Sequence, residues 1–302
     1  MAVKKENFRD AANKLAKKQV LASGWTVYRD FEIEESDNDV HVYAPRKAPE
    51  IPSQGGMQAI HSAWMAEDLN RVRVYAPLRD TPDLFLEFAS LGRKEGVTRD
   101  KAAEVMLDWV KSFGTLGLED AGDRAESLLG FSLAVRKAAR CLELYEAATA
   151  DLGRRGDPDV AVLDAYGAFG RTLKEKREWA LQEVTSTVGR RVKMGCYPQL
   201  YRKINREVDQ TVGFEQGWAF RSLLGAMYLQ MMWLMTEGGD APRCEGPGCN
   251  RFIRIGEGGG DGEDLGLRKN SRPRRYRTRK DKRFCSRNCK EKYRYHNVIK
   301  LR

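Results

Sequence analysis

Long apolar runs are missing from this chain of 302 residues. No stretch approaches 18 uninterrupted hydrophobic residues, and the richest, Leu223 to Met235, is cut by Gln230. The sequence therefore predicts no membrane-spanning helix and no membrane partner. The stretch MAVKKENFRDAANKLAKK has no hydrophobic segment behind its lysines, so no secretory leader is expected there. Histidine is scarce: His41, His61 and His296 are far apart, which leaves little for imidazole acid–base chemistry. A Walker A loop, a G-x-G-x-x-G after a strand, G-x-S-x-G and H-E-x-x-H are all absent. The sequence is accordingly read as a non-enzyme. Acids such as Glu32, Glu34 and Glu35 beside the β-like region could serve a nuclease, but a solvated strand end accounts for them more simply. Six cysteines are too few for a disulfide scaffold. The expected compartment is the cytoplasm, where paired cysteines signal metal rather than disulfides.

The charge that is present is unevenly placed. From Arg268 to Arg302 there are 16 lysines and arginines against two acids, Asp281 and Glu291, a net charge of +14. The preceding 267 residues hold 37 bases and 41 acids, a net of −4. A mildly acidic body carrying a strongly basic end suggests an anionic partner for that end alone, most often nucleic acid.

Periodicity divides the chain. The first 20 residues have Phe8, Ala11, Ala12, Leu15 and Val20 near helical spacing. Trp25–Ile33, Val40–Ala44 and Val72–Ala76 are rich in Val, Tyr and Phe and read as strands, the last two closed by Pro45 and Pro77. Residues 48–56, rich in Pro, Gly and Ser, read as a loop. Helices follow: Leu84–Leu91 behind a Thr81-Pro82-Asp83 cap, and Lys101–Phe113 capped by Thr98 and ended by Gly114 and Gly117. A long helix is expected from about Asp123 to Leu152, with Leu128, Phe131, Val135, Ala138, Leu142 and Tyr145 at spacings of three and four. Another is expected over Asp157–Val188, with Val162, Tyr166, Phe169, Leu173 and Trp179 as its stripe, and a short one over Pro198–Val208. Residues 216–236 are apolar nearly all round, which predicts a central buried helix. The reading is a mainly α (α+β) protein: a mostly helical domain with a small N-terminal sheet over residues 1–240, then a finger over 241–302.

The strongest chemical signal is Cys244-x4-Cys249, a 35-residue gap, then Cys285-x3-Cys289. Two close pairs let the chain turn around one ion from opposite sides, as a structural four-cysteine zinc site requires, and thiolates favour zinc over magnesium or calcium. Glycines and a proline between Cys244 and Cys249 suit a knuckle. Cys285 and Cys289 are expected one turn apart on a helix running to about Lys300, their sulfurs near its positive end. Knuckle, hairpin and helix in that order form a treble-clef pattern, with residues 256–264 (GEGGGDGED) a flexible loop between the pairs. His296 lies about 10 Å of helical rise beyond Cys289, too far to share the ion. Cys141 is expected to pack in the core beside Leu142, and Cys196 stands alone in the sequence.

The basic segment supplies candidate nucleic-acid contacts. Taking Cys285 as zero, Arg287, Lys290 and Arg294 fall at roughly 200°, 140° and 180°, one face opposite the metal. Upstream, Arg272, Arg274, Arg275, Arg277, Arg279 and Lys280 surround Tyr276. The cations would neutralise phosphates and the tyrosine could stack on a base. Arg287 and Asn288 are the candidates for reading base edges.

These residues resemble the CGNR-type zinc fingers of bacteria. The likeness covers residues 216–296: an apolar helix, a short linker, Arg243-Cys244…Cys249-Asn-Arg-Phe252, then Arg283-Phe284-Cys285-Ser286…Cys289 and a basic helix. Where that family has Cys-Gly-Asn-Arg, this chain has Cys289-Lys-Glu-Lys292. The resemblance implies one structural zinc on the four cysteines and a role as a DNA-binding transcription regulator, whose helical body senses a ligand or forms a homodimer. It favours DNA over RNA, a choice that the residues themselves leave open. The competing reading is a finger that binds another protein, and a more distant one is a nuclease of phage or defence systems.

Overall fold

Short runs rich in valine and aromatic residues make three of the first four strands, and the glutamate-rich run Glu32–Glu35 makes the other. The computed structural model describes residues 25–28, 30–36, 39–44, 72–92, 98–118, 125–149, 160–205, 210–236, 244–249, 251–253, 256–258, 276–278 and 283–295. The expected N-terminal helix and the loop over 48–56 lie outside these residues.

The run expected as one strand over Trp25–Ile33 is two. β1 (Trp25–Tyr28) pairs antiparallel with β4 (Val72–Tyr75), while β2 (Glu32–Glu35) pairs with β3 (Val40–Tyr43). β3 also pairs with β5 (Ala125–Ser127), giving a three-stranded sheet. In β3, Val40 and Val42 are buried and His41 and Tyr43 half-buried, the alternation expected of a sheet with one face on the core. All four residues of β2 are exposed, so its glutamates line a solvated edge that discourages further strand pairing.

Pro77 ends β4 and, with φ already fixed, starts α1 (Pro77–Asp80). α2 (Leu84–Leu91) follows, but the Thr81–Asp83 segment does not cap it as expected. The Asp83 side chain makes no capping bond, and Thr81 Oγ1 instead donates to the Pro77 carbonyl at 3.0 Å. The cap comes from α7 (Leu223–Thr236). Gln230, buried in that otherwise apolar helix, accepts from the Phe85 N–H at 3.0 Å. Its amide donates to the carbonyls of Pro77 and Thr81 at 3.2 and 2.8 Å. One side chain thus satisfies three buried or part-buried backbone groups and fixes α1 and α2 against α7.

α3 (Arg99–Phe113) is capped by Thr98, whose hydroxyl accepts from Lys101 N–H at 3.4 Å, and it stops at Gly114 with φ 91°. The long helix α4 (Leu128–Thr149) starts later than expected because β5 takes residues 125–127. Its six expected stripe residues are all buried. Its first turn is held by Asp39, which accepts from the N–H groups of Leu129 (3.0 Å) and Val40 (2.8 Å) and from the Ser127 hydroxyl (2.5 Å). Burial pushes the Asp39 carboxyl up, but these hydrogen bonds outweigh it and the pKa lies below its ordinary value.

The helix expected over Asp157–Val188 is broken. α5 (Val160–Ala165) ends before Gly167 and Gly170, which have φ of 72° and 151°. α6 (Leu173–Gly195) restarts with a capping box in which Thr172 and Glu175 exchange hydrogen bonds with each other's backbone. Phe169, placed on the stripe by its spacing, sits in the break and is 83% exposed. The other four expected stripe residues, Val162, Tyr166, Leu173 and Trp179, pack partly buried against the core, and Ala180, Val184, Val188 and Val192 are buried in it.

The expected helix over Pro198–Val208 is overturned. β6 (Cys196–Asn205) and β7 (Gln210–Phe220) form a long antiparallel hairpin, and α7 begins only at Leu223, not at Gln216. The hairpin is entered and left through a close contact: a Cβ on Gly195 would meet Gly225 Cα at 2.6 Å, so α6 and α7 touch backbone to backbone. α4 packs against α2 and α6, and α6 against α7, around one apolar core that also takes in β1. Cys141 belongs to that core, as expected, and so does Cys196. Burial pushes each thiol up to about 12. No helix among the described residues is long and apolar enough to cross a membrane.

Candidate metal centre

The knuckle is built by the short residues between the first two cysteines. Cys244 N–H donates to the Arg251 carbonyl at 2.8 Å, and Cys249 N–H to the Gly246 carbonyl at 2.9 Å, so the loop closes on itself. Gly248 completes the turn with φ +68°, where an L side chain is strained. Gly246 is needed for a different reason: a Cβ there would lie 2.7 Å from the Cβ of Cys289 and 3.1 Å from its sulfur. The chain then passes through β8 (Gly256–Gly258), paired antiparallel with β9 (Tyr276–Thr278). Residues 256–258 are therefore strand, not part of a free loop as expected. The last described element is helix α8 (Arg287–Arg294).

The second pair is arranged differently from the expectation. Cys285 is not on the helix. Ser286 is the N-cap, extended at φ −147° and ψ 164°, and its hydroxyl accepts from Cys289 N–H at 3.2 Å. A serine hydrogen-bonded to its own third neighbour caps the helix, which starts two residues after Cys285. Cys285 and Cys289 still meet, at an Sγ–Sγ distance of 3.5 Å, with Cys249 Sγ at 3.6 Å from Cys285 Sγ. All four sulfurs, including that of buried Cys244, lie within 4.8 Å of one another, so these four cysteines can hold a metal ion. A tetrahedral tetrathiolate zinc with bonds near 2.3 Å has sulfur–sulfur edges of about 3.8 Å, which this cluster fits.

Backbone donors already face the sulfurs. Cys244 Sγ accepts from Gly246 N–H at 3.4 Å and from Cys285 N–H at 3.3 Å. Such bonds orient the thiolate and spread its charge. The Ser286 hydroxyl draws the Cys289 thiol down to about 7, whereas burial raises Cys249 and pushes Cys285 up to about 12. Four thiolates at this separation repel strongly, and a cation at their centre is what lets them ionise together.

Residues that spacing alone did not mark hold the centre. Glu245 N–H donates to the Arg283 carbonyl at 3.0 Å, and the Arg283 guanidinium pairs with Glu245 while lying over the rings of Tyr293 (5.5 Å) and Phe284 (5.9 Å). This clamp ties the knuckle to α8. Phe252, just past the knuckle, is buried in the core of the helical body rather than in the finger, and the positive charge of neighbouring Arg251 acts on Glu87 of α2. Ile253 packs instead with the cysteines and Phe284. The signal in the sequence was the pair of apolar residues after Cys249-Asn-Arg.

Of the expected nucleic-acid contacts, Arg287, Lys290 and Arg294 are exposed on α8; with Cys285 off the helix their angles are counted from Cys289, and they fall at roughly 160°, 100° and 140° from it. Arg287 is 91% exposed in its side chain and pairs with Glu291 on the same helix at 2.8 Å. Tyr276 and Arg277 lie on β9, whereas Arg272, Arg274, Arg275, Arg279, Lys280 and His296 lie outside the described residues. The structure brings together the four cysteines and one face of the basic helix. No family model, curated protein or solved structure matches this chain.

Proposed function

We propose that this chain is a zinc-stabilised nucleic-acid-binding protein of CGNR-type character, a cytoplasmic DNA-binding transcription regulator with one structural zinc on Cys244, Cys249, Cys285 and Cys289. The observation that carries the reading is the coincidence on α8 of a metal-site edge and an exposed cationic face, Arg287, Lys290 and Arg294. A helix pinned on one side by an ion and basic on the other presents fixed charges to a phosphate backbone. A metal held by four thiolates has no open position for water, which favours a structural over a catalytic role. DNA is favoured over RNA by the resemblance to the bacterial fingers, and the helical body is left for effector sensing or self-association.

The test is fluorescence anisotropy with labelled duplex DNA, single-stranded DNA and RNA across about 50–200 mM salt, a range over which a binder making several phosphate contacts weakens steeply. Duplex binding is expected to fall linearly on log–log axes. The triple variant R287Q/K290Q/R294Q should reduce the slope by up to about 2.7 for three lost phosphate contacts. Salt-independent binding, or none, would contradict the proposal and favour a protein-binding finger. Cleavage of the probe would favour the nuclease reading.

A further inference from the structure

The helical body holds a concave feature of its own. Between α4 and α6 there is a cavity of about 360 Å³, at the low end of the size range of small-molecule pockets. Cys141, Leu144 and Val184 are buried side chains of its lining. Two helices contribute four cations to the same lining: Lys137 and Arg140 from α4, Arg190 and Arg191 from α6. The one acid among the lining residues is Glu183. Ser186 and Thr187 add hydroxyls.

This concentration runs against the surroundings, since residues 1–267 carry a net charge of −4. Like charges gathered in a concave site repel unless something offsets them, and Glu183 offsets little: its carboxylate is 3.6 Å from Arg140 with both side chains about two-fifths exposed. Arg140 is also held from another side, with its guanidinium 5.6 Å from the Tyr166 ring centroid. Its Nε–H is buried and makes no hydrogen bond. Because that side chain is about two-fifths exposed, its guanidinium can still donate to an anionic oxygen in the cavity. The buried thiol of Cys141, pushed up to about 12, is protonated at neutral pH and unsuited to covalent capture of a ligand.

We propose that the α4–α6 cavity binds a small amphipathic organic anion, a carboxylate or phosphate monoester. Its charged head lies among Arg140, Arg190 and Arg191, and its apolar part beside Met194, the exposed apolar side chain of the lining. Glu183 occupies part of the cationic site in the free protein and competes with the head group.

The experiment uses the full chain with four probes: phenyl phosphate and hexanoate as amphipathic anions, benzyl alcohol as a ring without charge, and inorganic phosphate as charge without an apolar part. Affinity is read by calorimetry, and location by the ¹³C-methyl signal of Met194, a lining residue. Phenyl phosphate and hexanoate are expected to bind one per chain and shift the Met194 methyl. Benzyl alcohol and inorganic phosphate should each bind about tenfold more weakly or worse, the scale of one charged hydrogen bond or of a buried apolar group. Arg190→Gln and Arg191→Gln should each weaken phenyl phosphate about tenfold. Glu183→Gln should tighten it, while Glu178→Gln, exposed on the same helix outside the lining, should leave it unchanged. No binding by either amphipathic anion at millimolar concentration would overturn the proposal. So would benzyl alcohol or inorganic phosphate binding equally well, unchanged affinity in the arginine variants, or equal tightening by Glu178→Gln and Glu183→Gln. Anion binding that leaves Met194 unmoved would place the anions elsewhere, for instance on the basic finger, and would also overturn it.

Discussion

Gly246→Ala places one methyl group where the two halves of the metal centre meet. The added Cβ would lie 2.7 Å from the Cβ of Cys289, against an ordinary carbon–carbon contact near 3.5–4.0 Å. The atom it meets is the Cβ of a residue of the four-cysteine cluster at the start of α8, fixed by the backbone, and cannot swing aside. The knuckle must therefore retreat from the helix by about 1 Å, whereas metal–sulfur bonds tolerate about 0.2 Å. Relieving such an overlap costs about 1–3 kcal/mol, which corresponds to roughly a ten- to hundredfold loss of metal affinity. The assay is competition for zinc with a colorimetric chelator, beside Gly248→Ala as a contrast. Gly248 has φ +68° and nothing within 4 Å of its added Cβ, so that substitution strains the backbone without pushing the sulfurs apart. Gly246→Ala should lose zinc well before Gly248→Ala. Equal retention by Gly246→Ala and the parent chain would refute the placement of knuckle against helix.

Three other perturbations test the body and its junction with the finger. Phe252→Ala removes a ring from the body core and should lower the stability of the whole chain by about 3–5 kcal/mol in urea melts; an unchanged body transition would show that the finger does not dock there. Gln230→Met keeps the volume but strands the Phe85 N–H, so a loss of about 1–3 kcal/mol is expected, where a reading based on hydrophobicity alone predicts a gain. Asp39→Ala should cost about 1–2 kcal/mol at pH 7 through the lost cap of α4. Because the folded pKa of Asp39 is depressed, its charge-dependent stabilisation is fully present above the unfolded pKa near 3.9 and disappears as pH falls through the lower folded value. The gap between parent and variant should narrow below about pH 4, and a gap constant with pH would contradict the assignment.

What the sequence made legible was local. The stripe of α4 repeats at three and four residues over five turns, and no strand can place all of those residues on one face, so its core-facing side was readable. The four cysteines were readable because metal ligation demands close pairs. The β6–β7 hairpin was not: Tyr197, Leu200, Tyr201 and Ile204 are spaced i, i+3, i+4, i+7, which fits a helix as well as a strand. The tie is broken by pairing with residues 210–220, a non-local fact. The start of α8 was misplaced for a different reason. Ser286 stands three residues before Cys289, a capping signal present in the sequence, but the spacing of the cysteines alone favoured a continuous helix. The break between α5 and α6 was similarly marked by two glycines and the Thr172/Glu175 pair. Gln230 was visible as an interruption of an apolar run, but its three partners lie about 150 residues away in sequence, beyond any pattern argument.

Convergence of the knuckle and the start of α8 on one zinc ion can be read from X-ray absorption at the zinc edge on the purified full chain, with metal content by mass spectrometry. One zinc per chain, surrounded by four sulfurs at about 2.3 Å, is expected. A zinc shell containing nitrogen or oxygen, or protein that holds no stoichiometric zinc after supplementation and dialysis, would contradict it.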